Sequence, residues 1–264
     1  EPSRRQRQMC IRDSPSIVAS GDNACILHYS TNREKVDNNG LILIDAAAEF
    51  KMYSSDVTRT FPVNGKFTKV QQDVYTEVLK AQEIGIKNVT TKKTMSDIHT
   101  STVASISQSL VDLGLVPMGV EETISMMHYF EFFMHGTGHW LGLDVHDAGT
   151  TEEKNKPRKL KPGMVTTIEP GIYIRPNKPE IEFKLLERDP KKIRERRKSL
   201  GMEKATKLES EEMKDAKSIK HKIPKDLLGI GIRIEDDIVC TENDPINLTI
   251  GAPKTIDDVE AICS

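Results

Sequence analysis

The 264-residue chain predicts a single α+β domain, and three features lead there. Apolar runs of strand length lie toward both ends: Leu41–Glu49 and Met52–Val63 in the first part, Met164–Ile174 and Leu228–Cys240 in the last. Between them, two longer segments carry apolar residues at helical spacing, and strand runs grouped apart from helices belong to the α+β class. A weak internal echo adds a two-half plan, with Ile44-Asp45 and Asp56 in one half answered by Ile168-Glu169 and Glu235 in the other. At roughly 100–200 residues per domain the length allows one large domain, with a core that needs no disulfide staples.

The elements follow in order. Glu1–Ser14 is polar and basic without periodicity, and Met9–Ser14 looks like translated adapter sequence; residues 1–14 are set apart as a non-native-looking or disordered leader, and 15–264 form the domain. Ser16–Ser30 reads as strand, glycine-containing turn, strand. Asn38-Asn39-Gly40 is a turn signal. Leu41–Glu49 is apolar, and Met52–Val63 carries the strand-friendly Val57, Thr58, Thr60, Phe61 and Val63; the two are expected to pair as a hairpin. Lys69–Asn88 is predicted helical from Val70, Val74, Val78 and Leu79, with Tyr75 alongside. Met95–Leu115 is a second helix on Ile98, Ile106, Leu110 and Leu113, with Thr94 and Asp97 as its capping box and Gly114 at its end. A third runs from Val120 to about Tyr129, ahead of the glycine- and histidine-rich Met134–Ala148. Pro162-Gly163 opens the strand Met164–Ile174, and Leu228–Cys240 is a further strand. Lys178–Lys222, between these two, holds 15 Lys/Arg and 10 Asp/Glu with weak helical periodicity. It reads as a solvated charged insertion, helical in part or disordered.

Composition removes several classes. With 38 Lys/Arg against 40 Asp/Glu the net charge is −2, so the electrostatic argument for nucleic acid is missing. No window approaches the roughly 18 apolar residues that span a bilayer, and no signal-peptide pattern starts the chain. Cys10, Cys25, Cys240 and Cys263 are scattered without a C-x-x-C pair, which argues against a thiolate zinc site and a disulfide framework and for a reducing compartment.

Five potential ligands sit in strand-like or glycine-rich settings: Asp45, Asp56, His139, Glu169 and Glu235. Each acid lies in or beside a stretch that should be buried. A buried carboxylate alone is costly, and four together repel one another unless cations compensate. That is the physical reason to infer metal. Taken singly, each acid is more often a turn former or salt-bridge partner, and sequence does not show that the four converge. Four carboxylates and one imidazole make an oxygen-rich set suited to Mn²⁺, Mg²⁺, Fe²⁺ or Co²⁺ rather than structural zinc. They also suit two divalent ions rather than one; two ions roughly 3.5–4 Å apart that share a water lower its pKa toward 7. His135 and His139 are four apart, but no Glu follows the first His, and two glycines between them disfavour helix. A loop or strand carrying His139 inward fits better. His135 and His146 are then candidates for hydrogen bonding to substrate or a developing oxyanion, or else satisfied structural histidines.

Taken in order, Ile44-Asp45-Ala46, Ser55-Asp56-Val57-Thr58-Arg59-Thr60, His135-Gly136-Thr137-Gly138-His139, Thr167-Ile168-Glu169-Pro170-Gly171 and Arg233-Ile234-Glu235-Asp236-Asp237 resemble the signature of the pita-bread metallopeptidases. That family includes methionine aminopeptidase, prolidase, creatinase and aminopeptidase P. Residues 61–68, 139–147 and 229–235 are similar to the aminopeptidase P (Xaa-Pro aminopeptidase) branch, and 257–264 to its mitochondrial type. The resemblance covers about Pro15 to Ser264 apart from the insertion. It implies a pita-bread fold, with a curved antiparallel sheet covered by helices. It implies Asp45, Asp56, His139, Glu169 and Glu235 as ligands of two divalent ions, most simply Mn²⁺, with Glu169 also handling the proton of a bridging water. His28 would touch substrate near the scissile bond, His135 and His146 would bind and polarise its carbonyl, and Arg233 would hold the ligand network. The implied reaction is hydrolysis of the first peptide bond when residue two is proline. That bond is a tertiary amide with no N–H, which ordinary exopeptidases handle poorly. The implied partners are such peptides, with no nucleic acid, no membrane and room for a homodimer, in a mitochondrial or cytoplasmic setting. A prolidase-type dipeptidase on the same scaffold and a non-catalytic binding module are the alternatives; the presence of all five ligands weighs against the last.

Three departures stand out. Ala47 occupies a position where the family usually has Gly, at a cost of about 1 kcal/mol or more if the backbone there needs φ > 0. Glu169 and Glu235 are 66 residues apart, more than the family usually shows, because of the insertion. The family's N-terminal domain, which helps build the oligomer and the substrate entrance, is not in this sequence.

Overall fold

Alternating burial in the first half builds an antiparallel sheet. The computed structural model describes residues 16–154, 156–185 and 190–264; the leader expected over 1–14 lies outside them. The first strands are β1 (Ile17–Ser20), β2 (Leu41–Ala46), β3 (Glu49–Phe50), β4 (Tyr53–Ser54) and β5 (Val57–Pro62). β2 sits between β1 and β5, antiparallel to both, with Asp45 opposite Ile17 on one side and Thr58 on the other. Leu41 and Leu43 are buried on one face of β2. The expected hairpin is therefore present, with a smaller β3–β4 hairpin set into its connection. Asp56, expected on the facing strand as part of the run Met52–Val63, lies instead in the short link just ahead of β5. Ala47 is buried, and φ is not positive there, so alanine carries no left-handed strain.

Ser16–Ser30 yields one strand, not two. After β1 the chain makes a 3-10 turn, Gly21–Cys25, and stays irregular as far as Gly40. The backbone at Ala24 packs so closely on Gly231 that a Cβ there would collide with the Ala24 carbonyl. Ile26, in the run expected to be the second strand, is exposed.

Two helices cover the sheet, α1 (Lys69–Lys87) and α2 (Met95–Asp112). Each begins at a capping box, Thr68 with Gln71 and Thr94 with Asp97, which satisfies two of the free N–H groups at the helix start. Their buried stripes, Val74, Val78 and Ala81 against Ile106 and Leu110, belong to the main core. Gly85 lets α1 approach the segment around Ile168 closely, since a Cβ there would lie 2.8 Å from Ile168 Cγ2. Gly114 ends α2 at φ +65. α3 (Val120–Ser125) is shorter than expected; Met127 turns left-handed (φ +57) and the chain enters a 3-10 turn, His128–Glu131.

The second half contains β6 (Glu152–Glu153), β7 (Lys156–Pro157), β8 (Val165–Ile168), β9 (Gly171–Tyr173), β10 (Glu180–Leu185), α4 (Pro190–Leu200), α5 (Met202–Asp215), β11 (Lys217–Lys222), β12 (Gly231–Arg233), β13 (Asp236–Val239), β14 (Ile246–Asn247) and α6 (Ile256–Cys263). Both runs read as single strands are broken in two. The first breaks at Glu169-Pro170, where proline has no N–H to give a ladder, and the second at Ile234-Glu235. β9 then pairs with β12, and β8 with β13, all antiparallel. Each break turns an acid out of its ladder. β5 joins the halves: Glu235 N donates to Thr58 O (3.1 Å), and the Thr60 hydroxyl donates to Arg233 O (3.1 Å).

Lys178–Lys222, expected as a solvated insertion, forms the β10–β11 ribbon with α4 and α5 between its strands. Phe183 near its root is buried in the main core, so the solvated part is narrower than the charge pattern indicated. Among the described residues, no helix is long and apolar enough to cross a membrane, and Cys25, Cys240 and Cys263 are free thiols.

One buried ion pair escaped the sequence reading. Arg59 donates to Asp236 Oδ1 (2.6 Å) and to the carbonyls of Thr58, Glu235, Ala252 and Pro253. Asp236 also accepts from Gln82, Asn247, Thr249 and Lys254. Burial alone would raise its pKa, but Arg59 and Lys254 outweigh that and hold it below the ordinary range. Removing one partner of such a pair strands the other. Asp236→Ala is expected to cost about 3–5 kcal/mol of unfolding free energy, read by urea denaturation; a loss indistinguishable from zero would contradict the assignment.

Candidate functional site

All nine residues singled out from the sequence line one cavity of about 550 Å³. Asp45 comes from the end of β2, Asp56 from the turn before β5, Glu169 from the break after β8 and Glu235 from the break after β12. His139 gets there because residues 137–141 run along β8 as an added edge. Thr167 N donates to His139 O (3.0 Å), Glu169 N to Thr137 O (2.8 Å), Leu141 N to Val165 O (3.2 Å), and His139 N to Thr167 Oγ1 (3.1 Å). Glycine is required at 138, where a Cβ would overlap the Thr167 carbonyl. The segment is extended, in line with the reading of a loop or strand rather than a helix.

His139 Nδ1 lies 3.0 Å from Trp140 O, so Nδ1–H donates there. That leaves the Nε2 lone pair, 3.5 Å from both Asp56 Oδ2 and Glu169 Oε1. Asp56, His139 and Glu235 each offer one donor atom, all within 4.8 Å of one another. Two carboxylates and an imidazole nitrogen at that spacing fit a divalent cation. Asp45 and Glu169 flank the trio, Asp45 in hydrogen-bond contact with Asp56.

The electrostatics show the strain of this company. Burial lifts Asp45 to about 6, with Arg233 pulling back and Asp56 pushing further. Burial lifts Glu169 to about 7. Glu235 rises well above its ordinary value through burial and the charges of Glu169, Asp56 and Asp45. His139 is lowered by burial but raised more by its bond to Asp56, the Trp140 carbonyl and the Glu169 charge, so its net shift is upward. Without metal, the site collects protons where a cation would be held.

Arg233 reaches into this group of acids. It donates from Nη2 to Asp45 Oδ2 (2.6 Å), from Nε to Thr58 Oγ1 (3.0 Å) and from Nη1 to Tyr173 Oη (3.3 Å). Thr58, Tyr173, Thr167 and Asp237 are supports that sequence reasoning missed. The Thr58 hydroxyl donates to Glu235 Oε2 (2.6 Å), Thr167 Oγ1 to Glu169 Oε1 (3.3 Å), and Asp237 Oδ2 accepts from Asp56 N (3.1 Å). Alternation along β5 was the available signal for Thr58, which shares a face with Thr60. His28 and His146 are exposed at the rim, the His146 ring edge-on to His139 at 4.3 Å. His135 also lines the cavity, but both its nitrogens have protein partners, Tyr173 Oη and Gly136 O, each at 2.8 Å. Burial and the Arg233 charge lower it to about 3, so it is neutral.

The sequence model of metallopeptidase family M24 matches residues 3–242. Xaa-Pro aminopeptidase of Haemophilus influenzae is 40% identical over 245 residues, 93% of this chain and 47% of that protein. Xaa-Pro aminopeptidase 3 of Homo sapiens is 33% identical over 260 residues, 98% of this chain and 42% of that protein. Among solved structures, a variant of Escherichia coli aminopeptidase P in complex with substrate is similar at a TM-score of 0.76 and 36% identity, covering 96% of this chain and 47% of that chain. Proline aminopeptidase P II from Yersinia pestis gives the same TM-score and identity, covering 96% and 48%. This chain spans about half the length of the curated relatives it matches. The α+β class and the pita-bread architecture expected from the sequence are those of these structures.

The raised carboxyls fix the sign of a pH effect. Their unfolded values lie near 4, so in metal-free protein these acids cost stability progressively as pH rises from about 4 through the folded values near 6 and 7. Metal takes the deprotonated carboxylates, so binding must release protons below pH 7. Mn²⁺ is expected to raise Tm more at pH 8 than at pH 6, and titration calorimetry at pH 6 in buffers of different ionisation enthalpy should show net proton release. Equal Tm shifts at both pH values would show that these acids are not the ligands.

Proposed function

The chain belongs to metallopeptidase family M24, and on that premise we propose that it forms the catalytic part of a metal-dependent Xaa-Pro aminopeptidase. The observation that carries the reading is the meeting of Asp45, Asp56, His139, Glu169 and Glu235 in one cavity, with His28 and His146 at its rim. These five would hold two divalent ions, Mn²⁺ in our reading. Ions held there supply Lewis acidity that brings the pKa of a shared water toward neutrality.

The protein's own groups supply the rest. Glu169, at the wall of the same cavity, is the carboxylate placed to take a proton from the attacking water and return it to the leaving amine. Thr167 Oγ1 steadies it. His28 and His146 are available to a substrate carbonyl; His135 joins them by exchanging its bond to Tyr173 or Gly136 for one to substrate. Ile17, Leu27 and Val145 give the cavity an apolar wall for a pyrrolidine ring, and a proline amide demands no acceptor for an N–H. The same reading carries with it peptides as partners, a homodimer, and a mitochondrial or cytoplasmic setting.

The test is a Mn²⁺ titration of this chain with an Xaa-Pro-Xaa tripeptide and an Xaa-Pro dipeptide. Cleavage of the tripeptide alone is expected; cleavage of the dipeptide alone would replace the reading with a prolidase. Asp56→Asn and Glu235→Gln are each expected to abolish turnover and lower bound metal while leaving far-UV CD nearly unchanged. Either variant keeping most of its kcat would sink the ligand assignment.

A further inference from the structure

Gly136-Thr137-Gly138 leads into His139, and its backbone also holds Glu169. Glycine offers no side chain to anchor and leaves the backbone maximally free. Side-chain restraint on this stretch therefore acts through Thr137, which is 3% exposed. The Thr137 carbonyl accepts from Glu169 N. Its methyl faces α1, where a Cβ on Gly85 would stand 3.7 Å from Thr137 Cγ2. Its hydroxyl lies 2.9 Å from His99 Nδ1, on α2. The His99 ring is itself held, half-buried, with its centroid 6.1 Å from that of Phe133. It lines a second cavity, of about 470 Å³, whose wall shares Gly136, Gly138 and His139 with the first. Among the described residues, the His99 side chain hydrogen-bonds to the Thr137 hydroxyl, and its charge also acts on His135 in the first cavity.

We propose that His99 is a positioning residue that, through Thr137, fixes the strand holding His139 and Glu169 at the metal site. The proposal rests on the metal-hydrolase reading above. Breaking the bond leaves a buried hydroxyl without its partner and removes a side-chain anchor from a stretch otherwise held by backbone bonds along β8, so the register between His139 Nε2 and the Glu169 carboxylate loosens.

The test measures Mn²⁺ affinity by titration calorimetry and the visible spectrum of the Co²⁺-loaded protein. It compares the full chain with His99→Ala, His99→Asn, Thr137→Val and the double variant His99→Ala/Thr137→Val. His99→Ala is expected to weaken Mn²⁺ binding about tenfold, the scale of a lost outer partner, and to shift the Co²⁺ bands. His99→Asn, whose amide reaches the same hydroxyl, should restore most of the affinity, and the double variant should bind no more weakly than Thr137→Val alone, because both changes remove one bond. If His99→Ala lowers Tm but keeps wild-type affinity and spectrum, the residue is merely structural and the proposal is overturned. Should His99→Ala fail to fold, Thr137→Val decides, and wild-type affinity there overturns it equally. A wild-type chain that binds no Mn²⁺ and cleaves no tripeptide removes the metal-hydrolase reading and this proposal with it; a metal-binding wild type matched by all variants removes this proposal alone.

Discussion

Mutual repulsion among Asp45, Asp56, Glu169 and Glu235 is what the surrounding structure has to contain. Two unit charges 4 Å apart interact by about 4 kcal/mol at the effective dielectric of a protein surface, so four ionised carboxylates in one cavity are not tolerable on their own. Arg233 is the buried guanidinium that answers them, and it bonds directly to Asp45 alone. What remains is met by protons in the metal-free state, and a divalent cation meets it better. The raised carboxyls and the raised His139 are two views of the same deficit of positive charge.

The contrast between Glu235 and Asp236 shows that this deficit is specific to one side of a strand. They are adjacent in sequence and both buried. Asp236 faces Arg59 and Lys254 and is held ionised. Glu235 faces three other acids, and among the described residues its side-chain donor is the Thr58 hydroxyl. Burial is the largest upward push on both, and the partners decide the difference between them. Asp236 is a pair built to stay closed, with every lone pair occupied. Glu235 is left a carboxylate that still needs a cation.

Much of this was legible in the sequence, for identifiable reasons. The long helices announced themselves through periodicity and through Thr94 with Asp97, which are local signals. Asp45, Glu169 and Glu235 stood out because each follows an apolar run, and Asp56 because it lies in the run read as pairing with that of Asp45. What failed was non-local. Glu169-Pro170 and Ile234-Glu235 break strands that read as continuous, because apolar composition does not report where a ladder loses its partner. The second strand expected after Gly21 is absent; a 3-10 turn follows Ser20 instead, and its Ala24 packs against Gly231, a contact no local pattern encodes. Thr58, Tyr173 and Asp237 were passed over because hydroxyls and lone acids become informative only when the group they bond is known. Ala47 seemed a source of strain through analogy alone, and its backbone has no need of glycine.

Glu169 and Glu235 keep their register although they are 66 residues apart. Loop-closure entropy grows only as the logarithm of length, so a long intervening segment is a modest burden. The geometry is set elsewhere. β9 follows Glu169 within two residues, β12 ends two residues before Glu235, and the two pair directly, Gly171 against Arg233 and Tyr173 against Gly231. The ladder continues outward through Ile174 N to Ile230 O and Gly229 N to Ile174 O. Beyond it the β10–β11 ribbon closes again, with Ile223 N bonded to Pro179 O and Phe183 buried in the core. His128 Nε2 at Lys184 O and His221 Nε2 at Gly114 O tie the ribbon's root to the body. The charged segment is thus zipped shut twice before it reaches these two acids. The distance between Glu169 and Glu235 depends on a three-residue ladder and not on the length of chain outside it.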